Sequence, residues 1–485
     1  MQGKEAAMAF ERKLDGRLVA SMAAAGSLSF SAVTFETALN VALPTLMRQF
    51  GVGTSTIQWI TSGYLLMLSM VIPAFPWLKS RFPLRRLFLA AVALFIAGTL
   101  ACGFAPAFGV LLAGRLVQGV GTGIAIPLMF SIVVDQVPHG RMGLMMGVAS
   151  LITALAPAIG PTYGGVVMGL ASWRWVFLTL VPLVVLAMFV GAATVRQATP
   201  LSRSRFDIVG FAMAAVAFFA LVYGTNLASG YGWASMQVLG CYGVAVVLLA
   251  MFGRHALSLG REANPERRPL IDVRVFSCGA FTVEVLSVAL QAAMVLAFAY
   301  LVPNYAQLAL GADALMAGTM LLPGCLATVV CGPIGGRLLD RMGARLPVLA
   351  GTSLVLAACA LFFGCSAILT PMLMLAFYGV FGLGQGLGFS TTMTNGLDAL
   401  PQAKRTDGNS VFNTLQQLGG SIGVSVVTAI IGSSQAGAPV SEMASATAAG
   451  GTMAFGVLAA MAATVVLLSL AAFALRGREG HGDRA

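Results

Sequence analysis

The sequence predicts an all-α polytopic membrane protein, and three observations carry that class. Apolar side chains make up 58% of the 485 residues and Asp, Glu, Lys and Arg together 9%, too few charges to clothe a water-soluble globule of this length. The apolar residues fall in continuous runs, mostly of about 19 to 28, and a helix needs about 20 to cross hydrocarbon. The basic residues are one-sided: of 28 Lys and Arg, 25 lie in alternate connections and the two tails, leaving Arg48 and Arg174 opposite and Arg115 within a run. This bias orients both termini to the cytoplasm. It also removes the net charge of +11 as an argument for nucleic acid. A β-barrel is excluded, because its strands would alternate in polarity over about ten residues.

Fourteen spans follow, centred near residues 33, 67, 95, 120, 155, 185, 217, 244, 290, 325, 356, 383, 419 and 462. The even number agrees with both tails lying on one side. The first run follows Lys4, Arg12, Lys13 and Arg17 and contains Ala23-Ala24-Ala25, the layout of a signal peptide. It continues to Leu46 and carries Glu36, Thr37 and Asn40, so it is read as a retained helix. Glu36 and Asn40, four residues apart, share a face that cannot meet lipid cheaply. In the fourth span, Arg115 stands in a run uncharged through Ile132 and is followed by Gln118-Gly119-Val120-Gly121. The fifth carries Pro157, Gly160-Pro161 and Gly164-Gly165, where proline removes a helix hydrogen bond and glycine admits a close neighbour. Such a helix can bend.

The seventh and eighth spans have almost no polar residues and are flanked by basic connections. They read as an insertion, residues 197–276, between an N-terminal six-helix bundle (1–196) and a C-terminal bundle with its tail (277–485). The two bundles repeat one another: Gln118-Gly119-Val120-Gly121 returns as Gln385-Gly386-Leu387-Gly388, and Arg141 to Gly160 is echoed by Arg405 to Gly423. Parallel repeats of this kind place a substrate site between them at mid-membrane.

Several chemistries find no support. The seven cysteines lie in or beside apolar segments without CxxC spacing and read as packing residues. His139, His255 and His481 are scattered through loops and the tail, so neither a metal nor another cofactor is implied. Gly419-Gly420-Ser421-Ile422-Gly423 has the G-x-S-x-G spacing of a hydrolase elbow, but it sits inside a span with no histidine in reach. A phosphate-cradling G-x-x-x-x-G-K-[ST] does not occur in the sequence, so ATP is not the energy source.

Arg115-x-x-Gln118-Gly119-x-Gly121 and Ala156-x-x-x-Gly160-Pro161-x-x-Gly164-Gly165 resemble the fourth-helix and fifth-helix "antiporter" motifs of the major facilitator superfamily. Glu36-Thr37 with Asn40-Val41-Ala42-Leu43-Pro44 is similar to the first-helix motif L-D-x-T-x-x-N-V-A-L-P of its fourteen-helix drug:proton branch, the EmrB and QacA type. Here Phe35 stands at the acid's position and the acid moves to Glu36. The connection Arg81-Phe82-Pro83-Leu84-Arg85-Arg86 keeps only the basic residues of G-x-L-x-D-R-x-G-R-R. Gly336-Arg337-Leu338-Leu339-Asp340-Arg341-Met342-Gly343-Ala344-Arg345 matches it at every fixed position but one, Ala344 standing for the first of the two final arginines. Trp173-Arg174-Trp175-Val176-Phe177 is similar to that branch's W-R-W-x-F, two aromatics that read as interfacial anchors.

The resemblance implies a major facilitator fold, no enzymatic activity, and export of amphipathic, cationic drugs or toxic compounds against protons across a bacterial inner membrane. A periplasmic adaptor is left open. Glu36 and Arg115 are expected to meet in the first bundle, each roughly 10 to 15 Å from the outer surface at ~1.5 Å per residue. Rocking of the halves would change the burial of the acid or its contact with the guanidinium, and so its hold on a proton. Glu284 is the next proton-coupling candidate. The substrate cavity is assigned to Asn40, Tyr64, Gln118, Gln291, Tyr300, Asn304, Asn413 and Gln416. The cytoplasmic gate is assigned to Arg81, Arg85, Asp340, Arg341 and Arg345, with Asp340 a charge-relay latch. Two other readings stay open: an exporter of one metabolite or siderophore, and a non-transporting receptor or lipid-handling protein.

Overall fold

The computed structural model describes residues 15–137, 142–197, 201, 205–262, 269–401 and 404–482. Its long helices are α1 (Gly16–Phe50), α2 (Trp59–Arg81), α3 (Leu84–Gly103), α4 (Phe108–Gln136), α5 (Met142–Leu170), α6 (Val181–Thr194), α7 (Ile208–Tyr231), α8 (Met236–Glu262), α9 (Gly279–Leu308), α10 (Leu322–Met342), α11 (Arg345–Gly364), α12 (Pro371–Asp398), α13 (Arg405–Gln435) and α14 (Met443–Gly482). Among the described residues, thirteen spans are long and apolar enough to cross a membrane. The remaining long helix is α5, of 29 residues. Each of the fourteen expected centres falls inside one of these helices. Short helices at Thr54–Ile57, Arg174–Leu178 and Ala314–Thr319 precede α2, α6 and α10.

Helices α1–α6 pack among themselves, and α9–α14 do so in the same pattern. The pairs α1·α5, α2·α4, α3·α4, α1·α6 and α3·α6 have as counterparts α9·α13, α10·α12, α11·α12, α9·α14 and α11·α14. The repeated glycines explain this. A Cβ on Gly119 would lie 2.7 Å from Met67 of α2, and one on Gly121 2.7 Å from the Ala91 carbonyl of α3. In the second half a Cβ on Gly386 would meet Thr328 and Cys331 of α10, and one on Gly351 of α11 would lie 2.5 Å from the Gly388 amide nitrogen. Each Q-G-x-G segment therefore lets one helix touch two neighbours backbone to backbone, which side-chain volume would prevent.

The halves meet along α2·α13, α5·α10 and α1·α9. Helix α7 packs on α8, on α13 and on α2, with Trp59 against Phe219 and Tyr223 at ring separations of 6.2 Å. At the termini-bearing face Asp207 caps α7, accepting from the Gly210 amide at 2.8 Å and the Leu270 amide at 3.2 Å. His255 of α8 lies 2.8 Å from the same carboxyl. This joint ties the linker to the insertion.

One expectation about the membrane ends needs correction. Trp175 is exposed, as an interfacial anchor should be, but Trp173 is buried. Its indole donates to Gln49 Oε1 at 2.6 Å, and Arg174 lies 4.6 Å from its ring while donating to the Ala105 carbonyl. A buried indole needs a partner for its N–H, and here it becomes a joint between the end of α1 and the segments that follow α3 and precede α6.

Candidate transport site

Arg115 sits one to two turns into α4 and is wholly buried. A guanidinium inside apolar surroundings must have its donors met. Nε donates to the Ile60 carbonyl at 3.2 Å and Nη1 to Gln118 Oε1 at 2.9 Å, while the Tyr64 ring lies 4.0 Å beneath the charge. Nη2 has no protein partner among the described residues. Gln118 is oriented in turn, its amide donating to Thr99 Oγ1 at 2.7 Å. Tyr64 donates to the Ala32 carbonyl and to Thr122. Arg115, Gln118 and Tyr64 thus form one clamp joining α2, α3, α4 and α1.

Glu36 is 5% exposed and lies among protein, away from the lipid boundary. It makes no hydrogen bond and no ion pair among the described residues, so it does not touch Arg115 within 4 Å, although each acts on the other electrostatically. Phe35, its neighbour, is stacked on Phe95 at 5.7 Å and packed against Phe177. Asn40, on the Glu36 face, accepts from Thr61 Oγ1 at 3.2 Å.

The fifth-helix motif seats α5 against both halves. A Cβ at Gly160 would come within 2.9 Å of the Thr34 carbonyl and would collide with Thr37 Oγ1, and one at Gly164 would lie 2.5 Å from the Ala38 carbonyl. These atoms bracket Glu36 on α1. On the other side a Cβ added at Gly165 would lie 2.8 Å from the Ala314 carbonyl, and one at Gly318 2.3 Å from the Pro161 carbonyl. Helix α5 is continuous through Pro161. The side chain of Pro157 lies outside the described residues.

Away from the termini the halves are joined by a polar seam. Gln58 Nε2 donates to Ser425 Oγ at 2.9 Å, Ser62 and Ser425 hydroxyls meet at 3.1 Å, and Ser421 donates to the Ser62 carbonyl at 3.0 Å. Asn304 donates to the Asn40 carbonyl at 3.1 Å, Gln307 to the Val41 carbonyl at 3.0 Å, and Thr54 to Gln435 at 2.6 Å. Toward the termini, by contrast, Asn409 is exposed and Asn413, Gln416 and Gln417 half-buried on one face of α13. The seam closes one side of the interface while polar α13 side chains are accessible on the other.

Of the residues assigned to the cavity, Asn413 and Gln416 are therefore accessible in this conformation. Asn40, Tyr64, Gln118, Gln291, Tyr300 and Asn304 are buried. Arg81, Arg85, Asp340, Arg341 and Arg345 are exposed and make no ion pair among the described residues. Near the incomplete first-half motif, Lys79 of α2 pairs with Asp135 of α4 at 2.5 Å. Sequence reasoning passed over Asp135, although it is an acid at the end of an apolar helix. Glu284 is buried and accepts from Asn395 at 2.5 Å.

A pair of six-helix bundles related as parallel repeats, with a charged clamp in one and a polar interface between them, defines a multi-pass membrane transporter and not an enzyme. The chain belongs to the Major Facilitator Superfamily, which it matches over residues 25–424. It is 33% identical to the lincomycin resistance protein LmrB of Listeria monocytogenes over 86% of this chain and 87% of that one. It is 31% identical to LmrB of Bacillus subtilis over 82% of each, and 30% identical to a multidrug resistance protein B homolog of Mycobacterium tuberculosis over 81% and 73%. Among solved structures, a bacterial homolog of the human lysosomal transporter Spinster superposes with a TM-score of 0.69 at 14% identity, covering 96% of this chain and 99% of that one. An auto-inhibited POT family peptide transporter gives 0.69 at 18%, covering 96% and 97%. These two establish the fold alone.

Proposed function

We propose that this chain is a fourteen-helix drug:proton antiporter that exports amphipathic, cationic compounds by alternating access, with both termini cytoplasmic in a bacterial inner membrane. The observation that carries the reading is Glu36: an acid removed from water, without a hydrogen bond among the described residues, within the field of the Arg115 clamp. Its helix α1 is tied to the second half through Asn304 and Gln307 and seated on the glycines of α5. Movement of the halves must shift α1 and α5 together, and with them the water and charge around the carboxyl. Protonated, the acid is neutral and tolerated; ionised, it offers one negative charge to a cationic guest. Resistance proteins among the relatives support the substrate class, and the positive-inside bias supports the orientation.

The test is dye efflux in inverted vesicles, with the proton gradient intact and then collapsed. Wild type should lose concentrative transport on collapse. Glu36→Gln should abolish gradient-driven transport, because the neutral amide can neither release a proton nor offer a charge to the guest. Proton-coupled efflux surviving in Glu36→Gln would sink the assignment. Competition among unrelated dyes separates a broad exporter from one dedicated to a single metabolite or siderophore.

A further inference from the structure

The C-terminal bundle holds a polar group that the scheme above leaves unused. On α9, Glu284, Ser287 and Gln291 are spaced three and four apart and share a face. All three are at least 99% removed from solvent. Among the described residues, Glu284 Oε2, Ser287 Oγ and both amide atoms of Gln291 have no protein partner, nor does Asn395 Oδ1 on α12. The opposite face of α9 packs on α13, where Gly419 and Gly423 lie against the Ala289 and Ala293 carbonyls. The polar stripe therefore faces away from α13. It meets α12, whose Gly396 approaches the Glu284 Cβ so closely that an added Cβ would lie 2.9 Å from it. Unmet buried polar atoms in such a row take their partners from ordered water.

The charges around Glu284 are few. Arg476 of α14 acts on it and donates to the Asn395 carbonyl, while the Asn395 amide donates to Glu284 Oε1. Other charges at this end are engaged elsewhere: Arg274 with Asp272 and, at longer range, Asp407 of α13, and Arg405 with Asp398. Glu36 of α1 is not among the groups that act on Glu284. Counted along α9 from Gly279, the acid lies five residues, about 8 Å, from the end nearest the termini. Glu36, on the other bundle, lies fourteen residues from the far end of its own helix.

We propose that Glu284 is a second proton-binding carboxyl, reached through a hydrated stripe along Ser287 and Gln291 and positioned by Asn395 and Arg476, so that each bundle carries one proton per cycle. Arrival of the proton converts the carboxylate to the acid, and its departure toward the near face restores the charge beside Arg476. This deepens the antiport reading and rests on it for the cycle, though proton binding at Glu284 can be read without transport.

The experiment is pH-difference infrared spectroscopy of the reconstituted full chain, with gradient-driven dye flux measured on the same preparations. One protonated-carboxyl band should vanish in Glu284→Gln and a different one in Glu36→Gln. The slope of log flux against pH should fall from about two to about one in Glu284→Gln. A spectrum unchanged by Glu284→Gln overturns the proposal. Where that variant does not assemble, Asn395→Leu and Arg476→Gln keep the acid and should displace the pH midpoint of its band. A midpoint unmoved by both is equally fatal. Gln291→Leu should slow deuteron exchange of the band several-fold, and unaltered exchange would overturn the hydrated stripe. Loss of all pH-driven flux in wild type, with the Glu284 band present, would sink antiport and leave the proton site standing.

Discussion

At the scale of single residues, one position decides how the first helix is used. Related motifs carry an acid where this chain has Phe35, and Phe35 fills an aromatic stack with Phe95 and Phe177. Glu36, turned by about 100°, escapes that stack and is buried without a hydrogen bond among the described residues. Phe35→Ala should cost about 3–5 kcal/mol, seen as a lower unfolding temperature in detergent with the proton dependence of residual transport unchanged. Arg115→Lys is the sharper test of the clamp. An ammonium cannot serve the Ile60 carbonyl and Gln118 along two directions of one planar fork, so gradient-driven flux should fall at least about ten-fold while the fold persists. That Arg115 is buried could be read from the sequence, because a lone charge in an apolar run has nowhere cheap to go. Its partners could not: the Ile60 carbonyl and the Tyr64 ring arrive from a helix some fifty residues earlier, with no local spacing to announce them. The same holds for Trp173, whose acceptor Gln49 lies over a hundred residues away.

At the scale of elements, fourteen helices were legible because hydrocarbon thickness sets their length, and the repeat was legible because close helix contact admits little but glycine. The short helices before α2, α6 and α10 were not, since they continue an apolar run after a slight change of direction. Gly160 links residue to element. Gly160→Ala should push α1 from α5 and cost about 1–3 kcal/mol as overpacking, with transport reduced more than expression. Adding Thr37→Ala removes the colliding hydroxyl but leaves the Thr34 carbonyl, so rescue should be partial. No rescue would mean that the glycine serves bending and not approach. The polar seam makes a second prediction at this scale. An interhelical hydrogen bond in a membrane is worth about 0.6 kcal/mol, so Gln58→Leu with Ser425→Ala removes roughly 1–2 kcal/mol. That should shift the population toward opening of the seam about ten-fold, read as faster labelling of a cysteine placed at Ser421 from the side away from the termini. The G-x-S-x-G spacing there serves packing on α9 and closure of this seam.

At the scale of the whole molecule, alternating access requires that the bundles move as bodies, and the insertion must travel with one of them. Helix α7 touches both. Against α13 it makes an extended contact in which Ala228, Val238 of α8 and Ala429 are all buried. Against α2 the contact is narrower and centres on Trp59 with Phe219 and Tyr223. Small side chains packed close resist sliding, whereas aromatic faces can slip while staying in contact. Helices α7 and α8 should therefore move with the second bundle, and Trp59 should slide over them. A cleavable cross-link between cysteines at Trp59 and Tyr223 is expected to arrest transport, with recovery on cleavage. A cross-link of equal length between cysteines at Ala228 and Ala429 should leave transport near the level of the uncross-linked double variant. The reverse pattern would assign the insertion to the first bundle. Arrest by both would make α7 a fixed strut, and the rocking motion assumed for the two halves would then have to be confined to α5, α10 and their neighbours.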